Sequence, residues 1–308
     1  MMKLDDVKRK YNTLRKDPRV LILKAWRLFE PIVSDEFYLK VAFRLKVGYW
    51  PNFKSPQTFN EKLQWLKLNN VHYEYTKMVD KVAAKEYVAN VIGDKYIIPT
   101  IGVWNTVEEI DWDALPEQFV VKASHDSGGI FVCKDKSQMD IPQTIALLCR
   151  TGKKDYTKYN KEYPYYKVPH RFIVEKYMED ESGIELKDYK FFCFNGKVRF
   201  FKVDFNRYVE HHANYYSMSG ELLPFGELAY PPLPDKRIDL PVNLNEMIGL
   251  AEILSKDLPF IRVDLYNVKG KIYFGELTFF PASGMGKFTP EEWDNKIGEY
   301  LDLSKISN

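Results

Sequence analysis

The stretch FVVKASHDSGG, Phe119 to Gly129, carries one lysine in a β-branched run that gives way to small polar residues and two glycines. A lysine inside a strand that faces a cleft is costly unless an anion meets it. The SHDSGG that follows offers closely spaced backbone N–H groups and permissive φ angles, so a phosphate would satisfy both. The same residues also suit a hairpin turn joining QFVVKAS to GIFVCKD with Lys122 on the wet face, and a lysine with two glycines does not separate the two. A second candidate lies nearer the C-terminus, where Asp264 in IRVDLY and Glu276 in YFGELT flank a hairpin that puts both on one face of paired strands. Two carboxylates pointing together repel unless cations join them, and oxygen ligands completed by phosphate are what Mg2+ prefers. Arg262, two residues before Asp264, projects from the same face and adds an anion-binding donor. The plainer alternative is a solvated Arg/Asp/Glu ladder on an edge hairpin.

The elements that must position these residues change character along the chain. Up to about Asn90 the periodicity is helical, and QTFNEKLQWLKLNN (57–70) places Phe59, Leu63, Trp65 and Leu66 near one face. After Gly93 come short β-branched or aromatic runs: KYIIPTIGVW, QFVVKAS, GIFVCKD, RFIVEKYM, DYKFFCFNGKVRFFKVDF, FIRVDLYN and GKIYFGELTF. Asn195-Gly196 is a type I′ turn signal, and Asn267 to Gly270 separates two further strand-like runs, so the sheets are antiparallel. Helical patterns return at Ile141–Arg150 and Val242–Leu258, which makes the fold class α+β. Two stretches read as long irregular loops: Tyr156 to Tyr166, crowded with Tyr and Lys, and Asn206 to Lys236, rich in Pro, Tyr and His. The first suits stacking on sugar rings or packing, through Tyr156, Tyr159, Tyr163, Tyr165 and Tyr166. The second is expected to close over an acceptor and to be mobile without it.

Composition narrows the function classes. A chain of 308 residues with 45% hydrophobic and 29% charged residues buries a full core and reads as soluble and globular. The 45 Lys+Arg against 43 Asp+Glu leave a net charge of +2, too balanced for a nucleic-acid partner on electrostatics. Cys133, Cys149 and Cys193 lie far apart with no metal-ligand spacing, which fits a reducing, cytoplasmic compartment. The N-terminus lacks a signal-peptide apolar region and no transmembrane run is present. Residues Val7 to Val33 interleave basic residues with Leu, Trp and Phe at helical spacing, which suits peripheral contact with an anionic membrane or, more simply, a docked helix with a solvated basic face. The chain has no GxxxxGK[ST], HExxH, GxSxG or strand-borne GxGxxG. His211-His212, with no third ligand nearby, reads as a solvated pair in a polar loop.

Taken together, VDKVAAKEYV (79–88), VVKASHDSGG, FIVEKYME, RVDLY and GELTFFPASG stand in the order and approximate spacing of an ATP-grasp enzyme over about Lys81 to Pro290. PQTFNEKLQWLKL, FVVKASHDSGG and GELTFFPASGMGKFTPEEWD resemble the TupA-like ATP-grasp proteins of bacterial surface-polysaccharide biosynthesis. The resemblance implies two α+β subdomains gripping ATP behind a mainly helical N-terminal region. The expected divisions are residues 1–90 (helical), 91–180 (strand region and lid) and 181–308 (central subdomain with the metal site). It further implies ATP and Mg2+. Lys81 and Lys122 match the two phosphate lysines, and the loop from Ser124 through Ser127, Gly128 and Gly129 would fold over the β- and γ-phosphates. Glu175, Lys176, Tyr177, Met178 and Glu179 fall at the adenine-receiving hinge, with Glu175 or Glu179 as its acid. Lys190 resembles a basic residue facing the nucleotide, Arg262 the arginine that steadies the acyl-phosphate, and Asp264, Glu276 and Thr278 the metal ligands. Thr278 stands where many members carry asparagine, a shorter neutral oxygen that weakens the case for a second ion.

The activity this implies is ATP-dependent carboxylate–amine ligation through an acyl-phosphate, releasing ADP and phosphate. The implied partners are a carboxylate-bearing saccharide, specifically a uronic acid, and an amino acid or other amine. The rivals are a glycosyltransferase of the same pathways and a non-catalytic nucleotide- or glycan-binding protein. A glycosyltransferase needs an acidic metal pair on a strand end, and the close pair Asp111/Asp113 sits in a turn.

Overall fold

The computed structural model of the chain describes residues 19–124, 129–151, 156–183, 186–206, 210–236 and 238–306. Ser127 and Gly128 of the glycine-bearing loop lie outside these residues, as does the part of the N-terminal basic pattern before Arg19. Among the described residues five helices lead: α1 (Arg19–Trp26), α2 (Asp35–Lys46), α3 (Phe59–Asn69), α4 (Tyr75–Val79) and α5 (Ala83–Ile92). α3 starts at a capping box, where the Thr58 hydroxyl accepts from Glu61 N and the Glu61 carboxylate accepts from the Thr58 backbone. Its apolar side buries Phe59, Leu63 and Leu66; Asn60, Gln64 and Lys67 are buried too, which an amphipathic reading of the sequence does not foresee. Trp65 lies outside that face, half-buried against the main core.

Two antiparallel sheets follow. The smaller has the order β1-β4-β2-β3, from β1 (Thr100–Trp104), β2 (Phe119–Ala123), β3 (Ile130–Cys133) and β4 (Phe172–Lys176). Phe119, Val121, Phe172 and Val174 form its core together with Leu148 of α6 (Ile141–Thr151). By the two-residue alternation of strands, Val120, Lys122, Ile173 and Glu175 occupy the opposite face. β2 and β3 do form the hairpin of the plainer reading, yet Lys122 is not on the wet face: it is half-buried and paired. α7 (Tyr156–Asn160) then leads into β4.

The larger sheet has the order β10-β9-β5-β6-β7, from β5 (Asp188–Phe194), β6 (Lys197–Phe205), β7 (His212–Tyr216), β9 (Phe260–Val268) and β10 (Lys271–Thr278). Asn195 and Gly196, with φ of 46° and 77°, make the turn between β5 and β6. One face of this sheet is largely apolar: Phe191, Cys193, Phe201, Val203, Val263 and Leu265 are buried, with Asn214 and Asn267 among them, and the Cys193 thiol meets Ala251 O of α8 (Leu244–Leu254). The other face is divided. Phe192, Phe194, Phe200 and Phe260 cover its aromatic end, against which Phe59 of α3 packs with centroids 5.6 Å from Phe194 and 5.0 Å from Phe260. The rest of that face is charged.

The segment from Asn206 to Lys236 is not one long loop. It contains β7, which closes the large sheet, and β8 (Gly226–Glu227), which pairs with β11 (Phe288–Thr289) ahead of α9 (Trp293–Gly298). HHANYY lacks the apolar alternation that marks a half-buried strand because four of its five β7 residues are buried whatever their face. The tyrosine-rich stretch anchors the N-terminal helices: the Tyr163 hydroxyl donates to Asp35, the Arg27 guanidinium sits 4.9 Å over the Tyr159 ring, and Lys161 pairs with Glu30 and Asp35. α1 rests on the core formed by Tyr38, Leu39, Phe43 and Phe53 through Leu23 and Trp26 and leaves Leu21 and Ile22 exposed. Among the described residues no helix is long and apolar enough to cross a membrane.

Candidate active site

On the small sheet the site is a triad of charges. Glu175 lies beside Thr100 and Val120 in the register, with its carboxylate between two lysines: Lys122 Nζ at 2.6 Å from Oε2, and Lys85 Nζ on Oε1. Lys85 comes from α5 and also donates to Ile98 O at 2.6 Å and Thr100 Oγ1 at 3.0 Å, which ties the helix to the sheet. Burial alone would raise the Glu175 pKa, but Lys122 and Lys85 outweigh it and hold the carboxyl below the ordinary glutamate value. Lys85 is pushed down by burial, against the pull of Glu175. Lys81, the sequence candidate, sits half-buried one turn earlier, just before α5.

The neighbouring loop is fixed at its root. Ser124 is buried; its hydroxyl donates to Pro169 O at 2.6 Å and accepts from Arg171 N at 3.1 Å, while Arg171 pairs with Asp80 at the start of α5. Gly129, on the far side of the loop, is buried and its carbonyl accepts from Ala123 N at 2.8 Å. Along the hinge Lys176 is exposed, its N–H bonded to Pro99 O at 3.0 Å, and Tyr177 and Met178 are half-buried. Glu179 is on the surface and accepts from the Tyr177 hydroxyl at 3.1 Å. A cavity of about 740 Å³ lined by Pro99, Ile101, Gln118, Lys134 and Lys176 among others opens beside this hinge.

On the large sheet the charged residues form a row. Registers place Glu276 (β10) opposite Asp264 (β9), Asp264 opposite Lys190 (β5), Lys190 opposite Lys202 (β6) and Lys202 opposite Tyr215 (β7). Directly opposed residues share a face, so one line of side chains crosses all five strands. Glu276 joins it through a bulge: register shifts between Phe274 and Glu276, and the extra residue is Gly275, where a Cβ would stand 3.0 Å from Asp264 O and from the Tyr266 ring. Arg262 grips Asp264 from Nε to Oδ1 and from Nη2 to Oδ2, both at 2.7 Å, and Nη2 also donates to Thr278 Oγ1 at 3.0 Å. Lys190 Nζ meets Asp264 Oδ2 at 2.6 Å, Asp188, and Asp204 Oδ2 at 3.6 Å. Burial would lower the Lys190 pKa, but Asp188 and Asp264 raise it above the ordinary value; burial pushes Asp264 up against the pull of Arg262 and Lys190.

The donor set and its charge bear on a metal ion. Five carboxylates (Asp188, Asp204, Glu227, Asp264 and Glu276) face three permanent cations (Lys190, Lys202 and Arg262), an excess of negative charge that burial makes expensive. Among the described residues Glu276 has no ion-pair partner, while its charge is felt by Arg262 and, after burial, by the Tyr165 phenol, which is raised well above its usual pKa. No cluster of three or more His, Cys, Asp or Glu is placed to hold a metal alone among the described residues. An all-oxygen set of Glu276, Asp264 and Thr278 with a negative surplus fits a hard divalent cation whose remaining ligands come from phosphate.

Several of these residues escaped the sequence reading. Lys85 stands one helical turn after Lys81, and nothing local distinguishes the two. Asp188, Lys202 and Asp204 had a signal: DYK and KVD flank the Asn195-Gly196 turn at nearly symmetric offsets, which folds them onto each other. The close pair Asp111/Asp113 is a turn closed on itself, with Asp111 Oδ1 accepting from Asp113 N and Ala114 N at 3.2 Å.

Comparison with known proteins agrees with this architecture. Residues 61–302 match the model of the TupA-like ATP-grasp family, and the chain belongs to that family. No curated protein matches the sequence. Among solved structures, the D-alanine–D-alanine ligase of Bacillus anthracis complexed with ATP is 16% identical (TM-score 0.38), over 66% of this chain and 54% of that one. The corresponding enzyme of Helicobacter pylori is 14% identical (TM-score 0.41), over 79% and 69%. The ATP-grasp ligase PsnB complexed with minimal precursor is 8% identical (TM-score 0.42), over 97% and 76%. The chain thus spans little more than half the length of the Bacillus anthracis enzyme it matches.

Proposed function

We propose that this protein is an ATP-dependent carboxylate–amine ligase that forms an amide through an acyl-phosphate. It joins an amino acid or other amine to a uronic-acid carboxylate of a bacterial surface polysaccharide or its precursor. The observation that carries the reading is the opposite polarity of the two sheets' faces: Lys85 and Lys122 around a single carboxylate on one, and Arg262 set among a surplus of carboxylates on the other. Family membership supports the ligase chemistry, and the surface-polysaccharide substrate rests on the sequence resemblance alone.

In this reading ATP lies between residues 91–180 and 181–308. Lys81, Lys85 and Lys122 take the phosphates, and the loop carrying Ser124, Ser127, Gly128 and Gly129 covers them with backbone N–H groups. Glu175, Lys176, Tyr177, Met178 and Glu179 border the adenine. Glu276, Asp264 and Thr278 would hold magnesium, which when bound would neutralise the phosphate charge that builds up during transfer. Arg262, kept fully charged by Asp264, orients the carboxylate and then the acyl-phosphate oxygen, and Lys190 balances Asp264 and Asp188 beneath it. The protein's part is therefore placement and charge, since phosphoryl transfer to a carboxylate needs little covalent help.

The test is mass spectrometry of the nucleotide products formed with a panel of uronic acids and amino acids. ADP and phosphate released only when both a carboxylate and an amine are present is the expected result. AMP with pyrophosphate, or turnover only with a nucleotide-sugar, would overturn the proposal.

A further inference from the structure

The charged row has a second end, on β6, β7 and β8, that the ATP and carboxylate chemistry leaves unused. Lys202 Nζ lies 3.2 Å from Glu227 Oε2 and 3.6 Å from Asp204 Oδ1, under the rings of Tyr215 at 5.9 Å and Tyr230 at 5.5 Å. His211 stacks on Tyr230 with ring centroids 4.1 Å apart, and its Nε2 reaches to 3.4 Å from Asp204 Oδ1. That Nε2 is buried and lacks a hydrogen-bond partner among the described residues. The hydroxyl of Tyr215, a residue with 0% exposure, is turned toward Glu227; burial and then that carboxylate raise its pKa well above the ordinary tyrosine value. Buried polar atoms are nearly always bonded, so an unbonded Nε2 beside Asp204 marks a spot that a polar ligand completes. Tyr230, 38% exposed, forms its rim.

We propose that this end is the amine half of the site: Asp204 and Glu227 receive the substrate's ammonium group, and His211 Nε2 takes the proton it must lose to become a nucleophile. The inference rests on the ligase reading and adds to it the charge state and seat of the second substrate. The location follows from the row itself, since Asp204 touches Lys190 and Lys190 touches Asp264, the residue that Arg262 grips. The groups around His211 set its task. Asp204 lies within reach of its Nε2, and Tyr230 stacks on its ring. In the reaction the ammonium gives one proton to His211. The freed nitrogen lone pair forms the C–N bond at the acyl carbon, and the carbon–oxygen bond to phosphate breaks with its electron pair on phosphate. The second nitrogen proton leaves with that phosphate, giving amide, hydrogen phosphate and imidazolium.

Hydroxylamine separates this step from the one before it, because it is neutral near pH 7 and captures an acyl-phosphate as a hydroxamate without needing a base. The full chain is assayed with ATP, Mg2+ and a panel of uronic acids, using either hydroxylamine or amino acids as nucleophile. In His211→Asn the ratio of amide to hydroxamate falls about a hundredfold near neutral pH and recovers in alkaline buffer, where the free amine is abundant. In Glu227→Gln the KM for the amino acid rises about tenfold, more than kcat falls. A ratio in His211→Asn equal to that of the unsubstituted protein, whether both products persist or both fall together, overturns the inference and leaves the ligase reading standing. An unchanged amine KM in Glu227→Gln removes the ammonium seat. No hydroxamate from the unsubstituted protein with any uronic acid overturns the ligase reading and this inference with it.

Discussion

The two charged sites are built on the same principle with opposite sign. On the small sheet two lysines share one carboxylate, Lys85 and Lys122 around Glu175, and the surplus is positive. On the large sheet Lys190, Lys202 and Arg262 are outnumbered by Asp188, Asp204, Glu227, Asp264 and Glu276, and the surplus is negative. Unbalanced buried charge is tolerated where a ligand supplies the missing sign. The small sheet lacks an anion and the large one lacks cations. A triphosphate with its metal on one side and an ammonium on the other would bring each site charge of the sign it lacks. The difference teaches that the polarity of each site, more than any single motif, states what it awaits.

The largest expected effect comes from removing part of the negative surplus on the large sheet. Glu276→Gln keeps the shape and removes a charge that has no ion-pair partner among the described residues, so turnover falls at least about a hundredfold while the fold stands. Magnesium titrations of the steady-state rate check this, and a near-normal rate would reduce the row to an inert ladder. Next is the small sheet: Lys122→Ala weakens binding of a non-hydrolysable ATP analogue by about 1.5–3 kcal/mol, the worth of one charge-assisted contact. Calorimetry measures it, and unchanged affinity would leave β2 and β3 a plain hairpin.

A smaller effect is expected from acid. Because Lys122 and Lys85 hold the folded-state Glu175 pKa below its ordinary value of 4.5, its contribution to stability is present above that value and is lost as pH falls through the lowered one. Thermal melts between about pH 5 and pH 3 should therefore drop more steeply for the natural protein than for Glu175→Gln, which is already less stable at neutral pH because two lysines lose their counter-charge. Parallel melting curves would show that the triad carries no linkage. The smallest effect belongs to Thr278. Thr278→Ala forfeits one hydrogen bond from Arg262, about 0.5–1.5 kcal/mol, or a few-fold in rate, and Thr278→Asn is tolerated. If Thr278→Ala were as damaging as Glu276→Gln, the hydroxyl and not the carboxylate would organise the row.

How much of this was legible beforehand depends on whether the determinant is local. The Asn195-Gly196 turn, the capping box at Thr58, the strand runs and the helices at 141–151 and 244–254 all follow from short-range sterics and periodicity, and the structure has them where those patterns lie. The placement of Arg262 and Asp264 on one face needs only the two-residue repeat of a strand. β7 was read as loop because its partners are Phe201 to Phe205, and pairing with a distant strand leaves no mark within HHANYY itself. His211 was read as solvated for the same reason: its neighbours Asp204 and Tyr230 are brought to it by the sheet edge and by β8.

By itself, then, the amino-acid sequence determined most element types, the α+β class, the family and the strand faces on which Lys122, Arg262 and Asp264 lie, because each is a property of a few neighbouring residues. Only the tertiary structure decided that Lys85 meets Glu175, that Gly275 bulges β10 so that Glu276 stands opposite Asp264, and that Lys190 and Lys202 extend the same line to Tyr215. Those pairings are set by strand order and register, and register is chosen by burial summed over the whole sheet.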